Sequence, residues 1–183
     1  DMYVEYAEGE IIPESNIESY FVWIPRYKYK IFNEGNYEEL TSVENKVQTI
    51  EVEFESKSVT SSNGSRVGEW MTHPAFTSFD VNGMWVGKFE TGYKGASTTV
   101  IAQQNVVDTN KVMVKPNVYS WRGIQVANAH LNSYNYLRSM NSHMMKNTEW
   151  GAVAYLQHSL YGSHTSVRFN NNSDYITGYS SVN

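Results

Sequence analysis

The clearest pattern in the chain is alternation. Residues 20–32 (YFVWIPRYKYKIF) are rich in aromatic and β-branched residues, the composition of a strand. Pro25 removes a ladder donor, so a bend or an edge is expected there. Beyond it, Tyr27, Tyr29 and Ile31 alternate with Lys28 and Lys30, which predicts one apolar and one basic face. Residues 48–55 repeat the pattern, with Ile50, Val52 and Phe54 opposite Glu51, Glu53 and Glu55. That is a half-buried strand of antiparallel type. Residues 84–91 (MWVGKFET) predict a further strand with Trp85 and Phe89 inside, and residues 112–114 a short one stopped by Pro116.

Helical spacing arrives late. Between residues 122 and 140, apolar positions fall at Ile124, Ala127, Leu131, Tyr134 and Leu137, which predicts one buried helical face. A second helix is expected from Asn147 or Thr148 as N-cap. Glu149 lies in its first turn, where a negative charge suits the helix dipole. Trp150, Val153, Ala154 and Gln157 are expected to line its apolar face, with Gly162 as a stop signal. Between the elements lie polar loops. They cover residues 33–45, residues 56–68 with an Asn63-Gly64 turn, and residues 92–111 as a surface excursion around Val100 and Ile101. Strands followed by helices and loop predict an α+β domain. Residues 1–18, acidic and broken by Pro13, read as a leading arm, and residues 19–183 as a single domain.

Composition agrees with a folded domain. The 183 residues are 40% hydrophobic and only 18% charged, with 14 Tyr and 5 Trp in place of further charge. Charge is uneven: residues 1–60 hold 13 acids and 5 bases, and residues 61–183 hold 6 acids and 9 bases. No basic stripe follows from this, so nucleic acid is not an expected partner. No apolar run approaches the ~20 residues of a membrane helix, so direct membrane insertion by this segment is not expected either. The chain opens on Asp1 rather than Met, which suggests an upstream leader, anchor or domain. The absence of cysteine excludes disulfides, thiolate metal sites and cysteine nucleophiles.

Three segments carry a resemblance. The first is Gly83-Met84-Trp85-Val86-Gly87-Lys88-Phe89-Glu90-Thr91. The second is Lys115-Pro116-Asn117-Val118-Tyr119-Ser120-Trp121, ahead of the first helix. The third is Met145-Lys146-Asn147-Thr148-Glu149-Trp150-Gly151-Ala152-Val153-Ala154. In this order they resemble the formylglycine-generating enzyme, or sulfatase-modifying-factor, family. The resemblance implies a C-type-lectin-like fold of antiparallel strands, two helices and long loops. Phe21-Val22-Trp23-Ile24-Pro25-Arg26-Tyr27 is also similar to openings of uncharacterised proteins from Firmicutes and their phages. The family's copper-binding cysteines have no counterpart here. Its later Gly-Asn-Val-Trp-Glu-Trp and Arg-Gly-Gly-Ser-Trp motifs are missing too, so the fold is expected without the family's chemistry and C-terminally incomplete.

Residue-level chemistry points the same way. His73, His130, His143, His158 and His164 contain no i, i+4 pair of the kind that holds zinc, and read as surface or hydrogen-bonded structural histidines. Glu149 beside Trp150 reads as a helix-start carboxylate rather than a catalytic acid. No nucleophile elbow or phosphate loop is present. Asn170, Asn171, Asn172 and Asp174 make an oxygen-rich run with one carboxylate, which fits a polar loop better than a calcium site. No cofactor is expected. Tryptophans can stack on sugars, but Trp85, Trp121 and Trp150 are expected in the core.

What remains is a Tyr, Ser, Gly and Asn palette in residues 128–136 and 161–183, the composition of adaptable recognition surfaces as well as of ordinary loops. The expected ligand-binding residues are Tyr134, Tyr136, Asn170, Asn171, Asn172, Asp174, Tyr175 and Tyr179. The expected function is a non-catalytic recognition or display module, an adhesin-like protein at a bacterial or phage surface, taking a protein or glycan and able to form a homo-oligomer. A retroelement-diversified binder is a related version. A structural subunit of a pilus or virion, and a metal-dependent enzyme derived from the same fold, are the alternatives.

Overall fold

The computed structural model describes residues 6–31, 50–58 and 69–163. Over these the protein is mixed α+β, with short antiparallel sheets and three α-helices. Contacts group the chain into two compact units. The first is Asp1–Ile24 with Trp85–Met145, and the second is Pro25–Met84 with Lys146–Asn183.

The second unit follows its alternating pattern. Strands β2 (Tyr27–Lys30), β3 (Glu51–Phe54) and β4 (Met71–Thr72) form an antiparallel sheet with β2 in the middle. Tyr27 faces Phe54 and Tyr29 faces Val52 across the β2–β3 ladder. Lys28 and Lys30 pair with Glu53 and Glu51 at 2.7 and 2.8 Å, and both ammonium groups lie over the Trp70 ring. Such half-exposed pairs contribute below about 1 kcal/mol each. Opposite charges facing across the ladder nevertheless favour this register.

The apolar face carries more. Tyr27 and Phe76 are fully buried with ring centres 5.2 Å apart, each burial worth about 2 kcal/mol. The Tyr27 hydroxyl donates to the Ala152 carbonyl at 2.6 Å, which satisfies the ring's polar end. Phe54 departs from expectation. It is exposed, although its ladder partner Tyr27 is fully buried, and packs on Tyr161, ring centres 4.6 Å apart.

Two helices close this unit. The single turn α1 (Pro74–Thr77) starts with Pro at its first position, where no donor is lost. Helix α3 (Asn147–Gln157) has Lys146, not Asn147 or Thr148, as its N-cap. Glu149 is at its third position, and its carboxylate accepts the Lys146 N–H at 2.7 Å. Its buried residues are Glu149 and Ala152, neither of them in the expected stripe, and Trp150 is 51% exposed. The small Ala152 lets the helix come close enough for its carbonyl to take the Tyr27 hydroxyl. A tryptophan there would hold it away. Gly162 closes the following turn. A Cβ at this position would lie 2.3 Å from the carbonyl oxygens of Leu156 and Gln157, so a side chain does not fit.

The first unit is thinner. Strands β1 (Phe21–Pro25) and β5 (Gly83–Gly87) pair. The Lys88 N–H donates to the Tyr20 carbonyl, and the Arg26 N–H to the Asn82 carbonyl. Both pairs of residue numbers sum to 108, so the ladder is antiparallel. Strands β6 (Gly92–Tyr93) and β7 (Val112–Met113) form a second antiparallel pair. Gly92 packs closely there: a Cβ would meet Val118 at 3.1 Å and Met113 at 3.3 Å. Trp121 sits half-buried beside it, its indole N–H donating to the Gln104 carbonyl at 2.8 Å and its ring edge-on to Tyr93.

Helix α2 (Val126–Tyr136) corrects the sequence reading most. The expected face, which included Ala127, Leu131 and Tyr134, is exposed at those three positions. Its inward row is Asn128, Asn132 and Tyr136, with Asn132 buried. Asn132 accepts from the Asp108 N–H and donates to the carbonyls of Val106 and Asn128, while Asn128 donates to the Asn105 side chain. The helix is docked by amides against the loop of residues 105–108. The loop's backbone groups require partners, and Asn supplies both a donor and an acceptor.

Candidate functional site

Of the eight expected ligand-binding residues, Asn170, Asn171, Asn172, Asp174, Tyr175 and Tyr179 lie outside the described residues. Tyr134 and Tyr136 are on α2, two positions apart, and therefore on opposite sides of the helix. Tyr134 is exposed. Its ring stacks parallel to His130 (9° between planes), the Arg138 guanidinium lies over it at 4.8 Å, and its hydroxyl accepts from Arg138 at 3.0 Å. Tyr136 turns inward, its hydroxyl bonded to Ser19 at 3.1 Å and its ring against Phe21. The two do not present themselves to one ligand. Tyr134 is available, and Tyr136 anchors the helix.

The sequence reading placed Trp85 in the core, and the structure places it outside. The register that sums to 108 sets Trp23 directly opposite Trp85. It also makes this a non-hydrogen-bonded position of the ladder, where facing side chains come closest. The two indoles are 5.3 Å apart between ring centres, tilted 56° to each other, and 42% and 56% exposed. Phe21 continues the same face. At that end the sheet is covered: Phe21 leans on Tyr136, and a Cβ on Gly87 would touch Val114. The tryptophan end is open. A cross-strand aromatic pair is not legible from periodicity, because the partner of Trp85 lies 62 residues upstream. The signal available in the sequence was the match between VWI and MWV, two strand segments with a central Trp.

The second unit holds a different cluster. His73 is buried among Tyr27, Tyr29, Phe76 and Tyr155, with ring centres 5.1 to 6.1 Å away. Its Nδ1 accepts the Ala75 N–H at 3.2 Å and so caps α1. Burial pushes its pKa down to about 4, so it is neutral at neutral pH. Burial also raises the pKa of Tyr27 and of Tyr29, with Tyr155 adding to both. Beside this cluster, Arg26 meets Glu55 at 3.0 Å, both side chains almost wholly buried, and Thr72 donates to the same carboxylate oxygen at 2.8 Å. These groups hold β2, β3 and β4 to α1.

No family model, curated protein or solved structure matches this chain. Among the described residues, no group of three or more His, Asp or Glu side chains could hold a metal ion. Among the same residues, no helix is long and apolar enough to cross a membrane.

Proposed function

We propose that the protein is a non-catalytic recognition or display module at a bacterial or phage surface, and that it binds a protein or glycan ligand. The observation that carries this reading is the open aromatic face of the first unit. Trp23, Trp85 and Phe21 stand on paired strands with much of each ring in solvent. Large aromatic rings left exposed on a rigid element mark contact surfaces more often than scattered aliphatic side chains do. Tyr134, supported by His130 and Arg138, adds a second exposed ring on α2. The Asn170 to Tyr179 run belongs to the same proposal as a late-loop contribution. So does the C-type-lectin-like fold. Its support is the order in which the three family-like segments fall: on β5, on the approach to α2, and on the start of α3.

The test is binding of the labelled protein to intact bacterial and animal cells, before and after protease or glycosidase treatment, beside the Trp85→Ala variant. Saturable binding that the variant loses supports recognition. Binding that the variant keeps, or none to any cell type, overturns it as a function of this surface.

A further inference from the structure

The open pair of indoles also constrains the kind of ligand, given that the protein is a recognition module. Three observations bear on it. The first is area. With Trp23, Trp85 and Phe21 exposed to 42%, 56% and 41%, the face offers roughly 300 Å², taking 150–250 Å² for a whole aromatic side chain. A stable protein–protein interface needs about 800 Å² from each partner. The face fits a ligand the size of one or two rings.

The second is shape. Apolar small molecules bind where most of their surface is enclosed. Two rings tilted by 56° and open to solvent enclose nothing. They suit a ligand that is apolar on one flat face and hydroxylated around its rim, so that the rim stays in water while the C–H face covers the indole. A pyranose ring has that construction.

The third is charge. Five of the six basic side chains of this unit are already engaged. Lys94 pairs with Glu18, Lys115 donates to the Glu14 carbonyl, Arg138 holds Tyr134, Lys88 lies over Phe89, and Arg122 lies over Tyr119. The whole chain carries a net charge of −5. A nucleotide, or a sulfated or carboxylated sugar, would meet a net negative chain.

We propose that Trp23 and Trp85 form a stacking platform for the apolar face of an uncharged pyranose, and that the module's ligand is a neutral oligosaccharide. The register sets the two rings side by side, so neighbouring sugar units of one chain can each cover an indole.

The experiment uses the full chain and NMR of its five tryptophan indole N–H groups. It is titrated with cellotetraose, chitotetraose and maltotetraose, and separately with a heparin tetrasaccharide. Trp23→Phe and Trp85→Phe assign the two signals while keeping an aromatic ring in each strand. The expected result is a saturable shift confined to the Trp23 and Trp85 signals with at least one neutral sugar, and no such shift with heparin. Trp85→Ala should weaken that binding roughly tenfold or more. No shift with any neutral tetraose at about 10 mM, a concentration that would populate even millimolar complexes, overturns the proposal. Shifts at other tryptophans alone, or with heparin alone, overturn it as well. Its failure is separable from failure of the recognition reading. Cell binding that protease abolishes and glycosidase spares would keep a recognition module and remove the sugar.

Discussion

His73 shows how much one buried side chain can decide. Its ring fills the space between β2, α1 and α3, and its Nδ1 lone pair is the cap of α1. A proton on that nitrogen would remove the acceptor and place a charge among four aromatic rings. The folded pKa is about 4, against 6.5 unperturbed. Between those values the unfolded chain binds more protons than the folded one, so stability falls as pH drops through that window. The expected slope from this residue is at most about 1.4 kcal/mol per pH unit, levelling off below pH 4. Urea unfolding at pH 7, 5.5 and 4.5 measures it. His73→Asn keeps an acceptor for the Ala75 N–H, so it should flatten the dependence relative to the native protein. An unchanged dependence would place the acid-sensitive group elsewhere. From the sequence, His73 was legible as a structural histidine, but not as a cap. Capping needs the φ and ψ of the neighbouring turn, which no spacing of histidines reports.

At the scale of elements, the sequence was most readable where one face meets solvent and the other meets rings. The Tyr27/Tyr29 against Lys28/Lys30 alternation, and its acidic counterpart in β3, predict both strands and the antiparallel type of the second; that the two pair with each other comes from the structure. The helices were harder. Helix α2 turns Asn128, Asn132 and Tyr136 inward, with Asn132 buried, because a loop backbone, not an apolar surface, lies beneath it, and hydrophobic periodicity cannot report an amide interface. Helix α3 buries the small Ala152 where the Tyr27 hydroxyl has to reach a carbonyl, and so leaves Trp150 outside. Its start depends on Glu149. Glu149→Ala leaves the Lys146 N–H without that carboxylate and removes a favourable charge from the dipole's positive end. A loss of about 1 kcal/mol is expected, read as a lower denaturation midpoint with an unchanged denaturant slope. Trp150→Ala, at an exposed position, should move the midpoint less. The opposite ranking would show that Trp150 is the stronger anchor.

At the scale of the molecule, the two units are built on different cores. The second buries Tyr27, Tyr29, Ala75, Phe76 and Ala152. The first buries Ile24, Ala96 and Val114 among its described residues and relies on side-chain amides for α2. Apolar burial contributes more than a hydrogen bond that replaces one with water. Native-state hydrogen exchange should therefore be slower for the amides of residues 27–30 than for those of residues 127–136. Equal protection would mean that the whole chain opens in one step. The site was the least legible part of all. The eight residues chosen by composition include six outside the described residues and two on opposite sides of one helix. The exposed pair, Trp23 with Trp85, depends on a strand register that only long-range pairing reveals.

That pair has an optical consequence. Two indoles held 5.3 Å apart at a fixed tilt do not absorb independently. Their transitions couple, and the coupling splits into circular-dichroism bands of opposite sign in the ultraviolet. Replacing either Trp23 or Trp85 with Phe should abolish the splitting, whereas replacing Trp150 should leave it. The sign pattern depends on the angle between the rings, and the angle depends on which residues of β1 and β5 face each other. The protein thus carries its own spectroscopic ruler for strand alignment, readable in solution without a label.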